Sequence, residues 1–142
     1  MKLCMSLRLL LCAALSSGAA LAALPVLAGD DDFFRSPTGN IGCAYAPDPG
    51  DLRCDVRDGV KPLPPMPKSC EFDWGQGFWL HKTGAASIVC AGDTALGNGK
   101  VLPYGQTWKR GVFSCTSSPE GFRCKNGDGH GFFISRGDAY RF

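Results

Sequence analysis

The sequence predicts an all-β fold, a small disulfide-stabilised barrel or sandwich built of hairpins, following an N-terminal signal peptide. Three observations carry that expectation. Past residue 28, glycine and proline are so dense that no helical periodicity survives them. Short apolar runs recur between these turn residues about every ten positions. Six cysteines are spread over a segment short enough to need covalent support for its core.

The first element is the leader. Residues 1–8 carry Lys2 and Arg8 and no acid, and residues 9–24 are uncharged and rich in Leu and Ala. Val26-Leu27-Ala28 then offers small residues where a signal peptidase cleaves, ahead of polar Gly29-Asp30-Asp31-Asp32. That is the order of a secretory signal, so the chain divides into a signal peptide, 1–28, and a disulfide-bonded all-β domain, 29–142. The uncharged stretch 9–28 is also long enough to span a bilayer, but Ser16, Ser17, Gly18 and Pro25 weaken it as an anchor. Cys12 follows Leu11 and not the small residue a lipobox requires. The expectation is an exported protein, periplasmic or secreted, with no membrane span once the signal is removed.

Charge narrows the partners. Of 15 Lys and Arg, Lys2 and Arg8 leave with the signal, so 13 cations face 13 acids in the domain. A neutral domain lacks the concentrated basic surface that nucleic-acid phosphates or anionic membranes demand.

Cys4 and Cys12 also leave with the signal. The remaining Cys43, Cys54, Cys70, Cys90, Cys115 and Cys124 are an even number in a short exported chain, which reads as three disulfides. Fifteen connectivities are open; local pairing, Cys43 with Cys54, Cys70 with Cys90 and Cys115 with Cys124, is the expectation, because the first and third pairs close loops of hairpin length. Zinc ligation would need short Cys-x2–4-Cys spacings, and there are none.

Strands are expected over 40–45, 52–56, 77–81, 86–91, 106–109, 112–116, 121–124, 131–135 and 139–142. Residues 58–68 contain Pro62, Pro64, Pro65 and Pro67; so many missing N–H donors exclude a central strand and predict an extended surface connector. A weak internal repeat runs through the chain. Gly39-Asn40-Ile41-Gly42-Cys43, Pro47 and Leu52-Arg53-Cys54 are matched by Gly111-Val112-Phe113-Ser114-Cys115, Pro119 and Phe122-Arg123-Cys124. Strand alternation puts Ile41 with Cys43, Leu52 with Cys54, Phe113 with Cys115 and Phe122 with Cys124 on inner faces, with Arg53 and Arg123 facing outward.

Several motifs weaken on inspection. Gly92 to Lys100 has a P-loop outline, but Asn98 and Gly99 separate Gly97 from Lys100, and Val101 stands where magnesium needs a hydroxyl. Asn126-Gly127-Asp128-Gly129-His130-Gly131 begins like a calcium loop, but it has His130 fifth and Gly137 twelfth. Both read as turns. His81 and His130 are the two histidines, and neither lies in a hydrolase motif.

The most binding-like stretch is Leu102-Pro103-Tyr104-Gly105-Gln106 with Trp108-Lys109-Arg110, where aromatic faces stand beside polar and cationic groups. Trp74 and Trp79 flank Gly75-Gln76-Gly77, where a backbone could approach closely. Tyr104, Gln106, Trp108, His130 and Trp74 are therefore the candidate binding residues. Core packing is the competing role for the aromatic ones.

Phe34-Arg35-Ser36-Pro37-Thr38-Gly39-Asn40-Ile41-Gly42-Cys43 opens a longer ordered series. Arg53-Cys54-Asp55, Asp73-Trp74-Gly75, Cys90-Ala91-Gly92-Asp93-Thr94, Leu102-Pro103-Tyr104-Gly105-Gln106 and Gly129-His130-Gly131-Phe132 continue it. The series resembles the small exported bacterial proteins grouped as domain of unknown function number 6636, over nearly the whole domain. The resemblance implies bacterial export and a cysteine-bridged domain, and it supplies no catalytic residue.

These readings point to an exported, non-enzymatic binding or envelope-associated protein without cofactor or metal, whose partner is a protein or a glycan. An inhibitor of an extracellular hydrolase, acting through a protruding loop at 44–51 or 117–120, is the alternative. A hydrolase is the third reading; it requires His81 or His130 within reach of a carboxylate in a cleft.

Overall fold

Residues 32–142 are described in the computed structural model, and the expected signal peptide over 1–28 lies outside them. The described residues form eleven strands and no helix. The first five are β1 (Phe33–Arg35), β2 (Ile41–Ala46), β3 (Asp51–Val56), β4 (Trp74–Leu80) and β5 (Ser87–Cys90). They are followed by β6 (Lys100–Val101), β7 (Thr107–Arg110), β8 (Phe113–Ser118), β9 (Gly121–Lys125), β10 (Gly131–Ile134) and β11 (Ala139–Arg141). All nine expected strands are present. Sequence reading missed β1 and β6, which are too short, at three and two residues, to show an alternation. The proline-rich connector carries no strand and is exposed from residue 61 to 69.

Two sheets result, in the orders β5-β4-β3-β2-β1-β6 and β11-β10-β9-β8-β7. They pack face to face and do not close into a barrel. All pairings are antiparallel except β6, which lies parallel to β1. Each sheet is thus a five-strand meander, one of them extended by β6. The repeat seen in the sequence is the repeat of these meanders: β2–β3 corresponds to β8–β9. The two-residue difference between the copies is absorbed in the first turn, which joins Ala46 to Asp51, while the second joins Ser118 to Gly121.

Inward-facing residues form one cross-strand row per sheet. Phe34, Cys43, Cys54, Phe78 and Ile88 are successive partners in the first. Trp108, Cys115, Cys124, Phe132 and Arg141 are their counterparts in the second. Equivalent members meet across the core. Phe34 stacks on Trp108 at 4.5 Å, Phe78 on Phe132 at 5.2 Å, and Cys54 Sγ lies 3.9 Å from Cys124 Sγ. Only the last pair is not apolar on both sides: Ile88 faces a sheet edge that carries Arg141.

The disulfides are Cys43–Cys54, Cys70–Cys90 and Cys115–Cys124, the local pairing expected. The first and third join directly opposed residues of a hairpin. The sulfurs of Cys54, Cys115 and Cys124 cluster closely, and all of them belong to these two bridges. Such bridges form and persist in oxidising compartments outside the cytoplasm. No helix among the described residues is long and apolar enough to cross a membrane.

One orientation needs correction. Arg123 does face solvent, over the Phe142 ring at 3.8 Å. Arg53 points away from the core as alternation requires, yet it is only 5% exposed, because the segment after β5 folds over that face. Arg53 Nε and Nη2 donate to Asp55 at 2.9 and 2.8 Å, and Nη1 pairs with Asp93 at 2.6 Å. Fully buried Asp55 also accepts from Ala95 N at 2.8 Å and Thr94 Oγ1 at 3.1 Å. Burial works against the Arg53 charge, but its hydrogen bonds to Asp55 and Asp93 prevail and raise its pKa. The opposed neighbours of Asp55 are Gly42 and Gly77. A Cβ at Gly42 would strike the Ala95 carbonyl, and one at Gly77 the Cys54 carbonyl. The segments Arg53-Cys54-Asp55 and Gly92-Asp93-Thr94 are therefore the two sides of one clasp.

Candidate functional site: the groove between the two sheet edges

A groove of about 740 Å³ opens where the apolar rows end, between β5 and β11. Val60, Leu63, Phe78, Ile88 and Ala139 give it an apolar lining; the His130 imidazole and the Arg141 guanidinium also border it. The missing apolar partner for Ile88 leaves the sheets apart at this edge. Arg141 Nη1 instead bridges the gap and donates to the Ala86 carbonyl at 3.1 Å.

Two edge strands border the groove. Gly131 and Phe142 exchange both backbone hydrogen bonds, at 2.9 and 3.0 Å. Antiparallel pairs alternate, so the Phe132–Arg141 pair is the non-bonded kind, and the Arg141 backbone N–H and C=O turn away from β10. Ala139 has the same orientation, and its N–H donates to Lys61 O of the connector at 2.8 Å. The connector is fastened again at its far end by Cys70–Cys90, next to β5. Extended backbone thus already docks on β11 at one position.

The turn between β9 and β10 places His130 at the groove. Asn126 Nδ2 donates to the carbonyls of His81 and Gly84 at 3.0 and 2.9 Å, and Gly84 N donates to Asp128 Oδ2 at 2.9 Å. The Gly84 N–H is the main cause of the lowered Asp128 pKa. A tight turn is what the calcium-like segment forms.

The five candidate binding residues do not converge. His130 lines the groove, Trp74 a second depression beside Gly75 and Gln76, and Tyr104 a small polar pocket elsewhere. Trp74 Nε1 donates to Pro64 O at 2.9 Å, which ties it to the connector. Gln106 is half-buried, with its backbone paired to Pro103 and Ser117. Trp108 has no open face: at 3% exposure it is a core residue stacked on Phe34. Its position opposite Cys115 dictates this, since the Cys115 row faces inward. Sequence reading missed Phe78, Ile88 and Arg141. Alternation in Ala139-Tyr140-Arg141-Phe142 assigns Arg141 a face, but nothing local says that the opposite sheet stops short there.

His81 meets the carboxylate requirement in part. Its Nδ1 lies 2.8 Å from Asp51 Oδ1, but the imidazole is 55% exposed. No hydroxyl or thiol hydrogen-bonds to that ring among the described residues, and His81 lines none of the three pockets above. The loop 117–120 is a two-residue turn, closed by Ser118 Oγ donating to Gly121 O at 3.1 Å. The turn within 44–51 is four residues long and exposed from Pro47 to Pro49.

Fold and bridges define a disulfide-bonded two-sheet β protein. The sequence model of a family of unknown function (DUF6636) matches residues 11–142, and the chain belongs to that family. Comparison with the curated proteins and with the solved structures finds no match.

Proposed function

We propose that this protein is an exported, non-enzymatic binding module that holds an extended segment of a partner polypeptide in the groove between β5 and β11. The observation that carries this reading is the combination at one place of an apolar lining and an edge strand whose Arg141 amide group turns outward. Strand addition to such an edge draws affinity from main-chain hydrogen bonds and selectivity from pockets for alternate side chains. Three disulfides suit work in an oxidising space outside the cytoplasm, periplasmic or secreted. A pre-formed groove also spares the protein an ordering cost on binding.

The test is a displayed library of extended peptides, panned against the oxidised protein and against an Ala85→Trp variant. Ala85 lines the groove and is exposed, so a Trp there occludes it without disturbing the core. Enriched peptides with alternating apolar residues should lose about tenfold or more in affinity for the variant. No enrichment, or equal binding to both proteins, overturns the reading.

A further inference from the structure

We infer that a second site, independent of the groove, binds one neutral sugar ring in the small polar pocket beside Tyr104. Four turns from both sheets build this pocket of about 220 Å³: the β1–β2, β6–β7, β8–β9 and β10–β11 connections. It is below the roughly 300 Å³ at which sites for drug-sized ligands begin, so a single ring suits it. It brings together two segments far apart in the chain, Ser36-Pro37-Thr38-Gly39-Asn40 and Pro103-Tyr104-Gly105, neither of which takes part in the groove.

The polar groups divide by what they already do. Ser36 Oγ accepts from Ile41 N at 3.0 Å and lies 3.2 Å from Thr38 Oγ1, so these two hydroxyls hold their own turn. Arg136 donates to Asp58 at 2.8 Å. The Asn40 amide, the Tyr104 hydroxyl and the Glu120 carboxylate make no side-chain hydrogen bond among the described residues. Together they supply donors, acceptors and one strong acceptor. Sugar hydroxyls each donate and accept, and a pair of neighbouring hydroxyls matches an amide or carboxylate. Tyr104, 45% exposed, adds an apolar ring face for the C–H side of a pyranose. The unpaired charge is the acid Glu120, because Asp58 already pairs with Arg136, and that disfavours phosphate or another anion.

Saturation-transfer-difference NMR with D-glucose, D-galactose, D-mannose and N-acetyl-D-glucosamine, at millimolar concentration, tests the site. At least one sugar should receive saturation and shift the Tyr104 ring resonances. Asn40→Ala and Tyr104→Ala should each weaken it about tenfold or more, while Ala85→Trp leaves it unchanged. Tyr104→Phe, which keeps the ring, should lose less than Tyr104→Ala, and it decides the matter should the alanine variant fold poorly. Silence from all four sugars, binding that survives both alanine variants, or preference for glucose 6-phosphate over glucose overturns the proposal.

Discussion

Cys54 Sγ lies 3.9 Å from Cys124 Sγ, so the bridge of one sheet rests on the bridge of the other at the centre of the protein. All four cysteines of these two bridges are completely buried, whereas Cys70 and Cys90 lie nearer the surface. Thiol–disulfide exchange needs access to a sulfur. Dithiothreitol under native conditions should therefore open Cys70–Cys90 first. Alkylation followed by mass spectrometry would find two labelled cysteines, Cys70 and Cys90, well before the other four; simultaneous labelling of all six would contradict the packing. Replacing Cys115 and Cys124 together by Ala should cost about 2–5 kcal/mol in urea unfolding.

The Arg53 clasp predicts an asymmetry between its two acids. Asp55→Ala removes the buried carboxylate that pairs with Arg53, leaves the guanidinium with only the exposed Asp93 carboxylate, and should cost about 3–5 kcal/mol. Asp93→Ala should cost much less, because that side chain is 84% exposed and its ion pair is solvent-screened. Denaturant midpoints of the two variants measure the difference, and equal losses would show that the clasp acts as one unit.

Gly42→Ala should loosen the segment after β5. Its Cβ would meet the Ala95 carbonyl, so either the sheet or the segment shifts, at a cost of about 1–3 kcal/mol. Hydrogen exchange reads it directly: the Ala95 amide, bonded to Asp55, should exchange faster in the variant while strand β9 is unchanged.

Acid should weaken three surface links together. Asp58 is held below the ordinary aspartate range chiefly by its hydrogen bond from Arg136, Asp93 by that from Arg53, and Asp128 by that from the Gly84 N–H. Folded-state values below the unfolded value of about 3.9 mean that these links contribute fully above that pH. Their contribution fades as pH falls through the depressed folded-state values. Carboxyl-carbon NMR titration should place all three midpoints below the unfolded aspartate value of about 3.9; a midpoint at or above it would remove that link from the account.

Trp108→Ala should behave as a core lesion, costing about 3–5 kcal/mol, with Trp108→Phe milder. The folded fraction should keep its groove and its Tyr104 pocket. A fully stable Trp108→Ala protein that had lost only ligand binding would restore Trp108 to the surface role its neighbours in sequence suggest.

Much of the fold was legible because its signals are local. Alternation placed Ile41, Cys43, Leu52 and Cys54 on one face, and short loop lengths made the two hairpin bridges the economical pairing. Proline density kept 61–69 out of the sheets. The candidate site was much less legible. Tyr104 lines a pocket as an exposed aromatic beside glycine can be expected to do, but Trp108, four residues on, is core. Binding-like composition is the same for both, and only the opposing sheet distinguishes them.

From the sequence alone come an all-β domain, its three local bridges, nine of the eleven strands among the described residues, and its family. Each depends on neighbours in the chain: a two-residue period, a turn, a loop short enough to close. Tertiary structure alone decided that Arg53 is buried, that Trp108 is covered by Phe34, and that Ile88 has Arg141 and not an apolar residue across from it. Those outcomes depend on which sheet face lies over which, a long-range packing choice that no local spacing encodes.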